Sequence, residues 1–234
     1  MFSLKRLSIL IIAAVIIVST VCAQVGARRE MTPEELYLQE TIELMIIRET
    51  ARSTTREQKL ISLEYIGELI DRGNRNDEIR QTLEFLATEG TRTQIRENNR
   101  LINNFPDVRR RAAIQLGRFG TEEATNALID VIQLENEPMV IQEAIKSLGD
   151  IGINNNNETI RTIVFVVDRL THVNPDNLVA LATIDTFERI AESDGSLSHD
   201  AVQLLVRIAT EGTLVFPVRE RARQLLADLR SFQR

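Results

Sequence analysis

A nine-residue pattern that recurs along the chain restricts the available folds more than any other feature. Ala112-Ala113-Ile114-Gln115-Leu116-Gly117-Arg118-Phe119-Gly120 and Ala144-Ile145-Lys146-Ser147-Leu148-Gly149-Asp150-Ile151-Gly152 both read small-x-x-x-Leu-Gly-x-apolar-Gly. Ser62-x-x-x-Ile66-Gly67-x-Leu69 gives the pattern earlier. Ala180-x-x-x-Ile184-x-x-Phe187 and Ala222-x-x-x-Leu226-x-x-Leu229 give it later, without the glycine. The central Ile or Leu falls at 66, 116, 148, 184 and 226, in steps of 50, 32, 36 and 42 residues. Steps of this size are the mark of stacked paired-helix units.

Between these first helices lie second helices with stripes of their own. They are Ile79, Leu83, Leu86 and Ala87; Ala124, Ala127, Leu128, Val131 and Ile132; Ile160, Ile163, Val164, Val167 and Leu170; and Ala201, Leu204, Leu205, Ile208 and Ala209. Spacings of three and four place each set on one helical face. A single helix pair cannot bury such a face, so the pairs must stack. The predicted helices cover 55–72, 76–89, 107–119, 122–134, 138–151, 157–171, 176–192, 198–210 and 216–231. Thr32-Pro33-Glu34-Glu35 starts an earlier helix, with a cap, a first-turn proline and acids, that runs to about Arg52 and caps the stack. The irregular stretch Thr91–Phe105 is given a short helix at 93–103, and Asn154–Asn157 reads as a turn. Gly67, Gly117 and Gly149 sit inside helices, where Gly costs roughly 1 kcal/mol against Ala. Close helix approach or a kink accounts for their recurrence.

Composition agrees with helices in layers. Hydrophobic residues make up 43% and charged residues 26% of the 234 positions, a globular balance, while aromatics are only 4%. Five Pro and ten Gly are few for a β-sandwich of this length.

The run Val108-Arg109-x-x-Ala112-Ala113-x-x-Leu116-Gly117-x-Phe119-Gly120, followed by Ala124-x-x-Ala127-Leu128-Ile129, resembles the bacterial HEAT-like repeat of the PBS-lyase type. Pro217-Val218-Arg219-x-x-Ala222 opens the last unit in the same way. Pro138-Met139-Val140 does so with Ile141 in place of the usual Arg. The resemblance is strongest over 106–152, good over 175–232 and weaker over 54–105. It implies an all-α fold, an α-solenoid of about five repeats over 54–234. It says almost nothing about function, which must be argued from a site.

Lys5 and Arg6 precede an apolar run from Leu7 to Val18, and small residues follow in Ser19-Thr20-Val21-Cys22-Ala23. This is the order of a secretory signal, with a cut expected before Gln24 and a second candidate after Ala27. The run is short for a membrane span of about twenty residues. The chain therefore divides into a signal peptide at 1–23, a linker and capping helix at 24–53, and the solenoid. The expected location is the periplasm. The alternatives are an uncleaved anchor facing the periplasm or lipidation at Cys22, the only cysteine. A cut after Ala23 leaves no thiol and no disulfide framework.

Chemistry-bearing motifs are sparse. His172 reads as a solvated residue after a helix end, and His199-Asp200 as a helix start. Neither has metal-ligand spacing. There is no Gly-x-Ser-x-Gly and no phosphate-cradling glycine loop, and Glu122-Glu123 suits a helix N-terminus. No cofactor, no metal and no catalytic residue is expected. The formal net charge is −6, and becomes −8 once Lys5 and Arg6 are removed, which argues against nucleic acid.

What remains is a surface. Ile129, Phe165 and Val206 fall at one phase of successive second helices, about 120° from the stripe centre, with Phe85 one position off. The plain reading of this row is packing between repeats; the functional one is an apolar groove for a partner helix or strand. Beside it run Gln81, Asn126, Asp130, Arg161, Arg169, Gln203 and Arg207, a solvated face or a rim that orients a partner. The expected function is a non-catalytic scaffold for protein partners in the cell envelope. An accessory or lyase-like subunit of an enzyme complex is the alternative, since related repeats occur in bilin-attaching lyases.

Overall fold

A computed structural model describes residues 32–232. The expectations for the N-terminal signal, the cut at Gln24 and Cys22 lie outside these residues. Ten helices are described: α1 Pro33–Ala51, α2 Arg56–Asp71, α3 Asp77–Thr88, α4 Pro106–Phe119, α5 Glu122–Leu134, α6 Pro138–Ile151, α7 Glu158–Val173, α8 Asn177–Asp194, α9 His199–Thr210 and α10 Phe216–Phe232. The chain separates into two compact units at Glu43/Leu44, within α1. In the first unit, α1 opens with a reciprocal capping box. The Glu35 N–H donates to Thr32 Oγ1 at 3.2 Å and the Thr32 N–H to Glu35 Oε2 at 3.0 Å.

The second unit, from Leu44, is a two-layer stack. The first layer runs α2, α4, α6, α8, α10 and the second α3, α5, α7, α9, each helix packed on the next of its own layer. One continuous core of Leu, Ile, Val and Ala lies between the layers, and Leu44, Ile47 and Ala51 of α1 join it. The first-layer helices are close. A Cβ on Gly117 would lie 2.7 Å from Ser147 Cβ, and one on Gly149 would lie 2.7 Å from Thr186 Oγ1. Both glycines are therefore contact points between neighbouring helices. Thr186 Oγ1 donates to the Ile145 carbonyl at 2.9 Å, and Ser62 Oγ to the Ile47 carbonyl at 3.1 Å. These hydroxyls tie each helix to the backbone of the one before.

Burial resets the register of one unit. The buried positions Val140, Ile141, Ala144, Ile145, Ser147 and Leu148 of α6 match Val179, Ala180, Thr183, Ile184, Thr186 and Phe187 of α8. Phe187, not Ile184, holds the place of Leu148. Leu148, Phe187 and Leu226 then lie 39 residues apart, in place of the uneven steps read from apolar residues alone. The uneven steps came from aligning on apolar residues, which passes over the buried Thr183 and Thr186.

Residues 93–103 form no helix. Arg96–Glu97 (β1) and Arg100–Leu101 (β2) pair antiparallel, Arg96 opposite Leu101. The turn residues Asn98 and Asn99 have φ of 48° and 64°, as a tight two-residue hairpin requires. Asn103, buried, fastens the hairpin base: its Nδ2 donates to the Thr93 carbonyl at 2.8 Å and its Oδ1 accepts from the Ile95 N–H at 2.9 Å. Asn155, Asn156 and Asn157 form the expected turn with positive φ. His172 falls in the last turn of α7 rather than after it.

Two buried cations bridge the layers. Lys59 Nζ lies 2.8 Å from Glu89 Oε2 and donates to the Ala51 carbonyl at 2.9 Å. Arg109 holds both carboxylate oxygens of Glu135, at 2.6 and 3.3 Å, and reaches the Glu89 carbonyl and Asn104 Oδ1. Each cation opens a first-layer helix, and each acid ends the second helix of the same unit.

Candidate interaction face

The outward side of the second layer is built from α3, α5, α7 and α9. The buried stripe of α7 runs through Thr159, Thr162, Ile163, Val166 and Val167, with Ile160 buried at its edge. It matches Ala124, Ala127, Leu128, Val131 and Ile132 of α5, Ile79, Thr82, Leu83, Leu86 and Ala87 of α3, and Ala201, Leu204, Leu205, Ile208 and Ala209 of α9. Of the expected α7 stripe, Ile160, Ile163 and Val167 are buried, while Val164 and Leu170 are only partly buried and Thr159, Thr162 and Val166 go inside with the rest. Thr159 goes inside because its hydroxyl finds the Ile153 carbonyl at 2.8 Å, and Thr82 because its hydroxyl finds the Glu78 carbonyl at 2.8 Å. A buried hydroxyl that is hydrogen-bonded carries little penalty.

With that register the surface sorts into three rows. Gln81, Asn126, Arg161 and Gln203 form one, all exposed. Phe85, Asp130, Phe165 and Arg207 form the next, also exposed, with Phe165 the most open at 64%. Glu84, Ile129, Val164 and Val206 form the third. Phe85 and Phe165 are therefore equivalents, whereas Ile129 belongs with Val206. Ile129 is 6% exposed, so it is a packing residue and not part of an open apolar row. It sits on α5, which has α3 on one side and α7 on the other. Val206, at the same register on α9, is half exposed; among the described residues α9 has only α7 beside it in the layer. Arg169 is exposed one turn beyond Phe165.

Neighbouring helices are cross-linked by charge. Arg92 NH2 lies 2.6 Å from Asp130 Oδ2, and Arg207 NH2 lies 3.0 Å from Asp168 Oδ1. Gln203 Nε2 lies 2.8 Å from His199 Nε2. The Arg80 hydrogen bond holds the Asp77 carboxyl below the usual range. Its own backbone N–H and the Thr121 hydroxyl do the same for Glu123. Both acids are thus kept as anions at helix N-termini, where the dipole also favours them.

Three adjoining hollows follow α3. The largest, about 350 Å³, lies between the α1–α2 turn, α3 and the hairpin, and is lined by Phe85, Ile95, Ile102, Arg52, Glu89 and Arg92 among others. A second, about 160 Å³, shares Arg52, Gln81 and Phe85 with it and reaches Arg48. A third, about 290 Å³, shares Glu84, Thr88 and Arg92 and reaches Asn126 and Asp130 on α5. Of the predicted surface residues, the hollows gather Gln81, Phe85, Asn126 and Asp130. Arg161, Phe165, Arg169, Gln203, Val206 and Arg207 lie further along, on α7 and α9. Arg52, Arg92, Ile95 and Ile102 were not anticipated. The signal was present in two isoleucines flanking a polar Arg-Glu-Asn-Asn-Arg run, a pattern suited to a hairpin more than to a helix.

Among the described residues no group of His, Cys, Asp or Glu is placed to hold a metal ion, and no helix is long and apolar enough to cross a membrane. No curated protein and no solved structure matches the chain. Residues 99–184, from the hairpin turn into α8, match the family model described as HEAT repeats, and the two-layer stack is an all-α solenoid that carries HEAT-like repeats over that stretch.

Proposed function

We propose that the protein is a non-catalytic scaffold that binds protein partners through the outward face of its second layer. The observation that carries this reading is the ordered exposure of Phe85 and Phe165 at one register of the face, with Val206 beside them on α9. Large apolar side chains kept open among polar neighbours mark interaction surfaces, and repeat stacks commonly bind along such an extended wall. The carboxylates of the face are held in ion pairs and helix caps, which supports a binding role over proton transfer. We further propose an exported, periplasmic setting in a bacterial envelope, on the order of charges, apolar run and small residues at positions 5–23.

A photo-crosslinking amino acid placed at Phe85, Phe165 or Val206, in the cells that make the protein, tests both parts. The expected outcome is one recurrent envelope protein captured from all three positions and not from Tyr65, an exposed residue of the first layer. The mature N-terminus, read from the same material, should begin at Gln24. Equal capture from Tyr65, or no recurrent partner, would remove the face as the binding surface.

A further inference from the structure

We propose that the 350 Å³ hollow beside α3 takes an apolar side chain of a partner's peptide segment, together with a carboxylate carried next to it on that segment. The inference rests on the scaffold reading and names the chemistry that one part of the face recognises.

The hollow has apolar walls and one charge left over. Phe85, Ile95 and Ile102 line it, each 39–50% exposed, so they present surface that a partner can cover. The Phe85 ring is backed by Lys59, whose ammonium lies 5.4 Å from the ring centre and is itself matched by Glu89. The volume sits at the low end of the range for ligand sites, about 300–1,000 Å³, and suits one or two side chains rather than a folded element.

The charged lining is engaged with one exception, and so are three of its polar neighbours. Asn103 is spent on the hairpin backbone, Thr88 Oγ1 donates to the Glu84 carbonyl, Gln81 Nε2 donates to Asp77, Glu84 pairs with Arg80, and Arg92 pairs with Asp130. Arg52 is the exception. It is exposed and lines both this hollow and the smaller one next to it, and among the described residues it has no ion pair. An occupant with a carboxylate beside an apolar side chain would cover the walls and give the guanidinium a charge-assisted, two-pronged partner. A neutral occupant would leave Arg52 unused, and a basic one would be repelled by it.

The test is amide-shift NMR on the isotope-labelled chain, titrated with an acetylated, amidated peptide of sequence Gly-Ser-Leu-Glu-Phe-Glu-Ser-Gly. The expected result is saturable shifts at Arg52, Phe85, Ile95 and Ile102. Affinity should fall about fivefold or more when both Glu are replaced by Gln, and by a similar factor in Arg52→Gln. Arg52→Gln should melt at a nearly unchanged temperature, because that exposed side chain makes no ion pair among the described residues.

No saturable shift at these amides overturns the proposal. So does equal binding by the Gln peptide. Loss of binding in Phe85→Ala with full binding in Arg52→Gln would also overturn it, since the apolar hollow would then bind without regard to charge; the scaffold reading would survive that result. Octanoate producing the same shifts at lower concentration than the peptide would assign the hollow to a free amphiphile instead. Failure of the scaffold reading shows separately, in the crosslinks from Phe165, which lies outside the hollow.

Discussion

A Cβ at Gly149 would meet the Thr186 hydroxyl at 2.7 Å and its Cα at 3.0 Å, whereas a Cβ at Gly67 would meet the far end of the Gln115 side chain at 2.8 Å. The two glycines occupy the same place in the repeated pattern, but only one faces backbone. Gly149→Ala must push α6 and α8 apart, at about 1–3 kcal/mol for an overpacked contact, against a propensity gain of about 1 kcal/mol. Gly67→Ala keeps the gain, because Gln115 can swing away. Urea denaturation should therefore show Gly149→Ala less stable than the parent and Gly67→Ala equal to it or more stable. If both substitutions stabilise, close approach is not why glycine stands at 149. The sequence showed that these glycines recur and that helix approach could explain them. It did not show which of them touches a neighbour, since that depends on the facing residue: Thr186 and Ser147 are small and bring their own backbone close, and Gln115 is long and meets the glycine with its far end, held only by Arg118 on the surface.

Helix α4 enters the stack beside a buried guanidinium, and the end of α5 is held by that guanidinium. Arg109 and Glu135 are both nearly fully buried, and Glu135 Oε1 also accepts from the Asn136 and Glu137 N–H groups. Removing one partner of such a pair leaves an uncompensated buried charge, at about 3–5 kcal/mol. Arg109→Met and Glu135→Leu should each cost in that range, while the double variant should cost clearly less than the sum. A double-mutant cycle by denaturant unfolding measures the coupling. Simple additivity would show that the two side chains are stabilised by their other contacts and not by each other. At this scale the sequence located the helices well, because their starts and stops are marked by Pro106, Thr121, Pro138 and Ser198 and by Gly120 and Gly152. It missed part of the buried face of α7 and the register of α8 against α6, where Thr159, Thr162, Thr183 and Thr186 are buried. A count of apolar residues reads these threonines as outward. The hydroxyls of Thr159, Thr183 and Thr186 bond to backbone carbonyls and let them go in, and the candidate row was misaligned by one residue for that reason. The hairpin escaped notice because Asn98-Asn99 lacks the glycine that usually announces such a turn.

In a stack where each unit touches only its neighbours, stability is close to a sum of unit and interface contributions, so the place of a defect determines how far it spreads. Leu148 on α6 is fully buried, and its helix packs on α4, α5 and α8. Leu225 on α10 is 2% exposed, but among the described residues α10 packs only on α8 and α9. The two truncations to Ala remove the same atoms and should each cost about 2–5 kcal/mol locally. Their reach should differ. Leu148→Ala weakens interfaces on both sides of α6, so amides from α4 through α8 should lose protection together in native-state hydrogen exchange. Leu225→Ala should speed exchange in α9 and α10 and leave α4 to α6 as slow as in the parent. Such graded response would let the face over α3 and α5 keep its shape while the far units open, which a surface spread over four helices needs if it is to hold one partner at its α3 end. Uniform loss of protection from α2 to α10 in Leu225→Ala would instead make the second unit a single cooperative body, in which any defect reaches the hollow beside α3.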